Sequence, residues 1–134
     1  MIEAKNKHYF QTSGFSMWPF LRQQDRIIVE EATCSELNSG DLIVYKLEGK
    51  SVCHRLVKKR ISAGRCFLLT RGDYAPSWKT EKVDPLQVTG RVSTIVRGSR
   101  IKTVKGVWQT FVGRMIILFF PVVVLTFLSL RKIL

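Results

Sequence analysis

Three side chains in this 134-residue sequence have the types and the order that suit hydrolytic chemistry: Ser16, His54 and Asp73. A serine hydroxyl is un-ionised at neutral pH and is a poor nucleophile by itself. An adjacent imidazole can take its proton, and a carboxylate can fix the imidazole's tautomer. Ser16 lies in Ser13-Gly14-Phe15-Ser16-Met17-Trp18-Pro19-Phe20-Leu21. Gly14 permits close backbone approach and Pro19 fixes the turn that follows, so this segment can present a hydroxyl and aim a backbone N–H at an oxyanion. Taken alone, it also reads as an ordinary turn before a strand. His54 sits within Val52-Cys53-His54-Arg55-Leu56-Val57, a strand-like run where an imidazole can act as general base. The other histidine, His8, lies in a polar N-terminal stretch with no such setting. Asp73 follows Gly72 in Leu69-Thr70-Arg71-Gly72-Asp73-Tyr74, where an aspartate either closes a turn or orients an imidazole.

The cysteines offer a different chemistry. Cys53 adjoins His54, but successive strand residues point to opposite faces, so the two are not expected to cooperate. Cys34, Cys53 and Cys66 are odd in number and unrelated in spacing. They make neither a disulfide framework nor a zinc motif and read as small apolar residues. No metal and no cofactor is expected.

The elements that must position these groups are short strands. Arg26–Glu30, Asp41–Lys46, Ser51–Val57, Arg65–Thr70 and Gln87–Val96 are β-branched runs. Turn signals separate them at Asn38-Ser39-Gly40, Glu48-Gly49-Lys50, Ala63-Gly64 and Gly72-Asp73. Their spacing predicts a mainly β domain, a small curled antiparallel barrel or sandwich, with a hairpin at Gly49 and one short turn in Ala32–Asn38. Hydrophobic residues make up 46% of the chain, enough for a real core, and the length permits one domain. A disulfide-stapled secreted domain, a collagen and a solenoid are excluded.

Charge is placed unevenly. The formal net charge is +12, and the last acid in the chain is Asp84. The basic second half fits a nucleic acid or an anionic membrane surface. Met115–Leu130, MIILFFPVVVLTFLSL, decides between them: it is uncharged and nearly long enough to span a bilayer. It extends upstream through Val107, Trp108, Phe111 and Val112 if Arg114 snorkels, with Trp108 at the interface. Arg114, Met115, Leu130 and Arg131 bound the expected anchor, and a mild kink is expected at Pro121. The preceding bases then form a collar facing lipid headgroups. No nucleic-acid partner is expected, because interleaved aromatics, a helix-turn-helix pattern and zinc-finger spacing are missing from that stretch. Met1–Phe10 has no apolar run, so the C-terminal segment is the one membrane element expected.

In this order the segments resemble the type I signal peptidase family, in its Ser-His branch found in archaea, the endoplasmic reticulum and some bacteria. Gly14–Leu21 is similar to the nucleophile box (small-x-Ser-Met-x-Pro-x-Leu), and Gln24–Val29 to the following strand, with Gln24 where glycine is usual. Gly40–Lys46 is similar to the Gly-Asp-apolar strand and Val52–Val57 to the His-Arg-Val box, where other branches carry a lysine base. Thr70–Asp73 is similar to the Lys-Gly-Asp box and Val88–Val92 to the closing Gly-Lys-Val strand. The resemblance covers about Thr12 to Val96.

It implies a fold of signal peptidase and LexA type, and a serine endopeptidase cutting a signal or leader peptide after small residues. The substrate, a precursor peptide or protein, would bind as an added strand. Ser16 would be the nucleophile, His54 the general base, and Gly14, Met17 and Pro19 the turn that presents the nucleophile and its oxyanion-binding N–H. Relatives with a second hydroxyl donor two residues before the nucleophile have no counterpart here, where that position is Gly14. The acids that relatives carry after Gly-Asp are replaced by Tyr74-Ala75-Pro76-Ser77-Trp78-Lys79, leaving Asp73, or the more distant Asp84, to orient the base.

The domains expected are a polar tail (1–11), a catalytic β domain (12–98), a basic juxtamembrane segment (99–112), a transmembrane helix (113–130) and a short basic tail (131–134). The partner is a lipid bilayer, crossed once. Family likeness places the catalytic domain outside the cytoplasm, whereas the heavier bases on the N-terminal flank place it inside. Two other functions share the fold: a LexA-like self-cleaving regulator, for which Lys58 or Lys59 would have to supply the base, and a non-catalytic membrane-anchored binding module.

Overall fold

A computed structural model describes residues 6–14, 16–18, 20–75, 78–104 and 107–133, and of the helical residues 107–111, 132 and 133 only the backbone. Pro19, expected in the nucleophile turn, lies outside the described residues, as does the side chain of Trp108.

The fold is a mainly antiparallel β-sheet followed by one long helix. The strands are β1 (Lys7–Gln11), β2 (Arg26–Glu30), β3 (Leu42–Leu47), β4 (Lys50–Ser62), β5 (Arg65–Arg71), β6 (Glu81–Val83), β7 (Val88–Arg97) and β8 (Arg100–Thr103). They join in the order β1-β2-β7-β3-β4-β5-β6, with β8 paired to β7 beside that path. Five of the strands fall where β-branched runs are densest. The other three, β1, β6 and β8, are polar edge strands that carry little apolar signal. Lys7–Gln11, expected in a polar tail, pairs along its whole length with β2.

Loop chemistry sets the register. Glu48-Gly49 and Ala63-Gly64 are two-residue connections in which both residues have positive φ, the turn that matches the right-handed twist of β3–β4 and β4–β5. Gly90 is needed for a close crossing: a Cβ there would stand 2.2 Å from the Glu30 carbonyl oxygen.

The sheet curls around two apolar clusters, and β3 belongs to both. Leu42 and Val44 face Met17, Leu21, Ile27, Val29, Val92 and Ile95. The alternate residues Ile43 and Tyr45 face Leu37, Leu56, Leu68 and Val83. A strand buried on both faces explains the unbroken apolar run Leu42–Tyr45. Each such side chain contributes about 1.5–3 kcal/mol on burial.

The cysteines correct the sequence reading. Cys34, in the turn after β2, and Cys66, on β5, form a disulfide with a Cα–Cα distance of 6.5 Å, and Cys53 is a free thiol. Spacing along the chain held no sign of this pair, because the curl of the sheet brings them together. The bond closes a separation of 32 residues, worth roughly 3–4 kcal/mol through restriction of the unfolded chain.

The helix α1 (Val107–Ile133) is about 40 Å long at 1.5 Å per residue. Its Val112–Arg131 portion has a mean hydropathy of 2.2, is mostly exposed, and is long and apolar enough to cross a membrane. Met115, Leu130 and Arg131 are exposed on it, while Arg114 donates from Nε to the Ser39 carbonyl oxygen at 3.3 Å.

The first half of α1 is fastened to the β domain. Gly113 lies so close to Gly40 that a Cβ would stand 2.1 Å from its carbonyl oxygen. Phe120 meets Phe20 edge to face. Pro121 has no N–H to give to the Ile117 carbonyl one turn earlier. Arg71 of β5 donates to that carbonyl instead, at 2.9 Å.

Candidate active site

Ser16 is held by what lies beneath it. Met17 is 3% exposed and plugs the first apolar cluster, and its carbonyl accepts the N–H groups of Phe20 and Leu21. The segment therefore makes a tight turn anchored by Met17, with Ser16 left exposed on its outer side. Gly14 has φ +86°, a conformation natural to glycine. The turn after β5 braces the loop from the other side. Tyr74 N–H donates to the Ser16 carbonyl at 2.9 Å, and Asp73 N–H approaches the Met17 Sδ at 3.3 Å. A Cβ on Gly72 would stand 2.6 Å from the Ser16 carbonyl oxygen, so glycine is required for this contact.

His54 arrives from β4, opposite Ile43 of β3. Its Nε2 lies 3.2 Å from Ser16 Oγ, within reach of a serine–imidazole hydrogen bond. Its other nitrogen, Nδ1, lies 3.0 Å from the Tyr45 hydroxyl. That hydroxyl donates to Glu81 Oε2 at 2.8 Å and lies 3.1 Å from Thr70 Oγ1. The rings of Tyr45 and His54 pack edge to face. A continuous line thus runs Ser16, His54, Tyr45, Glu81.

Asp73, expected to orient His54, is placed elsewhere. Both of its carboxylate oxygens are bound by Arg55, at 2.8 Å from Nε and 2.7 Å from NH2, in a pair whose side chains are 7% and 3% exposed. Arg55 also donates to the Gly40 carbonyl and lies over the Phe20 ring. Asp73 therefore acts on the imidazole only through its field. Asp84, the other acid considered, caps the 3-10 turn Pro85–Gln87 by accepting from Leu86 N–H. The sequence pointed to neither Tyr45 nor Glu81. Tyr45 looked like one more core residue, and β6, which brings Glu81 to it, carried no strand signal.

Burial lowers the His54 pKa from its ordinary 6.5, and the negative charges of Glu81 and Asp73 offset that only in part. The imidazole is therefore neutral at pH 7 and ready to accept a proton. Cys53 lies beside the same cleft, but burial pushes its thiol up to about 12, so it is not an available nucleophile.

The cleft next to Ser16 has a volume of about 250 Å³. Its lining includes Phe10, Thr12, Gly14, Met17, Ser51 and Cys53. The edge strand β1, the loop after it and the first residues of β4, which pair with β3 on one side, all contribute to it. Among the described residues there is no cluster of three or more metal-binding side chains. No curated protein matches the chain. A protein family does: the one described as Peptidase S24-like, over residues 1–93 of the 134.

Proposed function

Because the chain belongs to the Peptidase S24-like family, of LexA and signal peptidase type, its fold supports a serine-peptidase function, and we propose that it is a membrane-bound endopeptidase of the signal peptidase Ser-His kind. The observation that carries this reading is the 3.2 Å separation of Ser16 Oγ and His54 Nε2 at the edge of a cleft.

The mechanism follows from that geometry. His54 takes the Ser16 proton as Oγ attacks the scissile carbonyl, the Ser16 N–H stabilises the oxyanion, and the imidazolium returns the proton to the leaving amine. Water then repeats the sequence on the acyl-enzyme. The substrate is a signal or leader peptide, bound extended between β1 and the start of β4, where both strands have an edge to offer. A cleft of this size next to Ser16 suits small side chains before the cut.

The catalytic domain lies on the oxidising face of the membrane. The Cys34–Cys66 disulfide supports this side, since such bonds persist outside the reducing cytosol. The opposing argument from flanking bases is weaker, because domains of this size translocate largely regardless of charge. A self-cleaving mode with a lysine base is the less favoured reading on geometry, since Lys59 donates to the Cys34 and Ser35 carbonyls and Lys58 lines a separate pocket, whereas His54 meets Ser16.

The test uses the full chain in detergent and a precursor that accumulates in cells lacking it. Ser16→Ala and His54→Ala should each reduce processing by about 10⁴-fold or more. Near-normal processing by either variant would overturn the Ser16–His54 assignment, and no processing by the native chain would leave the non-catalytic binding module as the reading.

A further inference from the structure

A histidine used as a base must keep its proton on the nitrogen that faces away from the nucleophile. In serine hydrolases an aspartate usually enforces this. Here Asp73 is spent on Arg55, and what meets His54 Nδ1 is a hydroxyl. A hydroxyl does not by itself choose a tautomer, since it can donate to Nδ1 or accept from it.

The surroundings of the Tyr45 hydroxyl make the choice. It has one proton and three neighbours: Glu81 Oε2 at 2.8 Å, His54 Nδ1 at 3.0 Å and Thr70 Oγ1 at 3.1 Å. A carboxylate can only accept, and a bond to it is about twice as strong as a neutral one. The Tyr45 proton therefore goes to Glu81. The Tyr45 oxygen is left as an acceptor, so Nδ1 must be the donor and Nε2 keeps its lone pair toward Ser16. Thr70 does not compete for that proton, because its own hydroxyl can donate to the Tyr45 oxygen or to the Glu81 carbonyl.

We propose that Tyr45 and Glu81 are the positioning residues of this site, a carboxylate acting through a phenol to hold His54 in its base-competent tautomer. This rests on the reading of His54 as general base and adds its orienting group. The charged and titratable groups around the imidazole are Glu81 from β6, Asp73 from the turn after β5, Tyr45 from β3, and Cys53 and Arg55 beside it on β4. Asp73 and Arg55 offset each other, so Glu81 is the net charge that the imidazole feels.

The test reads the imidazole directly and needs no substrate. Long-range ¹H–¹⁵N spectra of the full chain in detergent micelles report each histidine's tautomer and titration, and the signals lost in His54→Ala identify those of His54. The native protein should show His54 with its proton on Nδ1. Glu81→Gln, at an exposed position, should cut that preference by about tenfold, the difference between a charged and a neutral acceptor. It should also move the His54 titration to lower pH, since a neighbouring negative charge is lost. Tyr45→Phe should cost a similar amount, and Glu81→Asp should restore part of the preference. An Nε2–H tautomer in the native protein, or no change in Glu81→Gln and Tyr45→Phe, would overturn the relay. That result leaves the base assignment standing as long as His54→Ala still abolishes processing. Normal processing by His54→Ala overturns the base assignment whatever the spectra show.

Discussion

Replacing Asp73 separates two roles that look alike in the sequence. As the third member of a catalytic unit, Asp73→Asn would slow cleavage by about 10⁴-fold and leave the fold intact. The structure places it instead in a bidentate pair with Arg55, with both side chains buried. An asparagine leaves the guanidinium charged and poorly matched inside the domain, a loss of about 3–5 kcal/mol. For a β domain of this size each kcal/mol lowers the melting temperature by about 4–8 °C, so a fall of 12 °C or more is expected. The double variant Arg55→Met/Asp73→Leu removes both charges together and should recover much of the loss. Thermal unfolding followed by circular dichroism in detergent reads the stability, and precursor processing below the transition reads the activity. A variant with unchanged melting and 10⁴-fold slower cleavage would refute the structural assignment and return Asp73 to the catalytic unit.

Other outcomes follow from the same geometry. Cleavage should rise with pH through a midpoint below 6.5, since burial lowers the His54 pKa and only the neutral imidazole accepts the Ser16 proton; a pH profile of kcat/KM with its midpoint above 6.5 would contradict this. Gly72→Ala should push the Ser16 backbone aside, as its Cβ would stand 2.6 Å from the Ser16 carbonyl oxygen, and lower kcat by about 10²-fold, measured against a melting curve that shows the protein folded. Gln24→Gly should raise stability by about 1 kcal/mol in a denaturant titration, because Gln24 holds a left-handed φ of +72°.

Much of this molecule could be read from the chain, and the rest is missing for definite reasons. The run Leu42–Tyr45 and the turns at Gly49 and Gly64 disclose the central strands, because burial and positive φ leave marks in local composition. Gln24 shows the opposite case: the resemblance marks it as a place for glycine, and the structure supplies the reason in its backbone angle. The approach of Ser16 to His54 was legible because each sits in its own recognisable segment. The Cys34–Cys66 bond and the Tyr45–Glu81 contact were not, since each depends on how far the sheet curls and on a short edge strand, β6. The same curl takes Asp73 to Arg55 rather than to the imidazole. Proximity in the sequence of boxes therefore named the right neighbourhood but the wrong handshake.

The contact between Arg71 and the Ile117 carbonyl bears on how a membrane-bound peptidase of the proposed kind would meet a substrate. By filling the gap that Pro121 leaves, the guanidinium ties the β domain to one level of the rod that would cross the lipid. If that rod crosses the lipid, Ser16 is carried at a set level along it, because Gly113, Ile117 and Phe120, all within the apolar stretch, meet the β domain. A precursor tethered in the same bilayer would be cut at the residue that reaches this height, so membrane depth itself would act as the ruler.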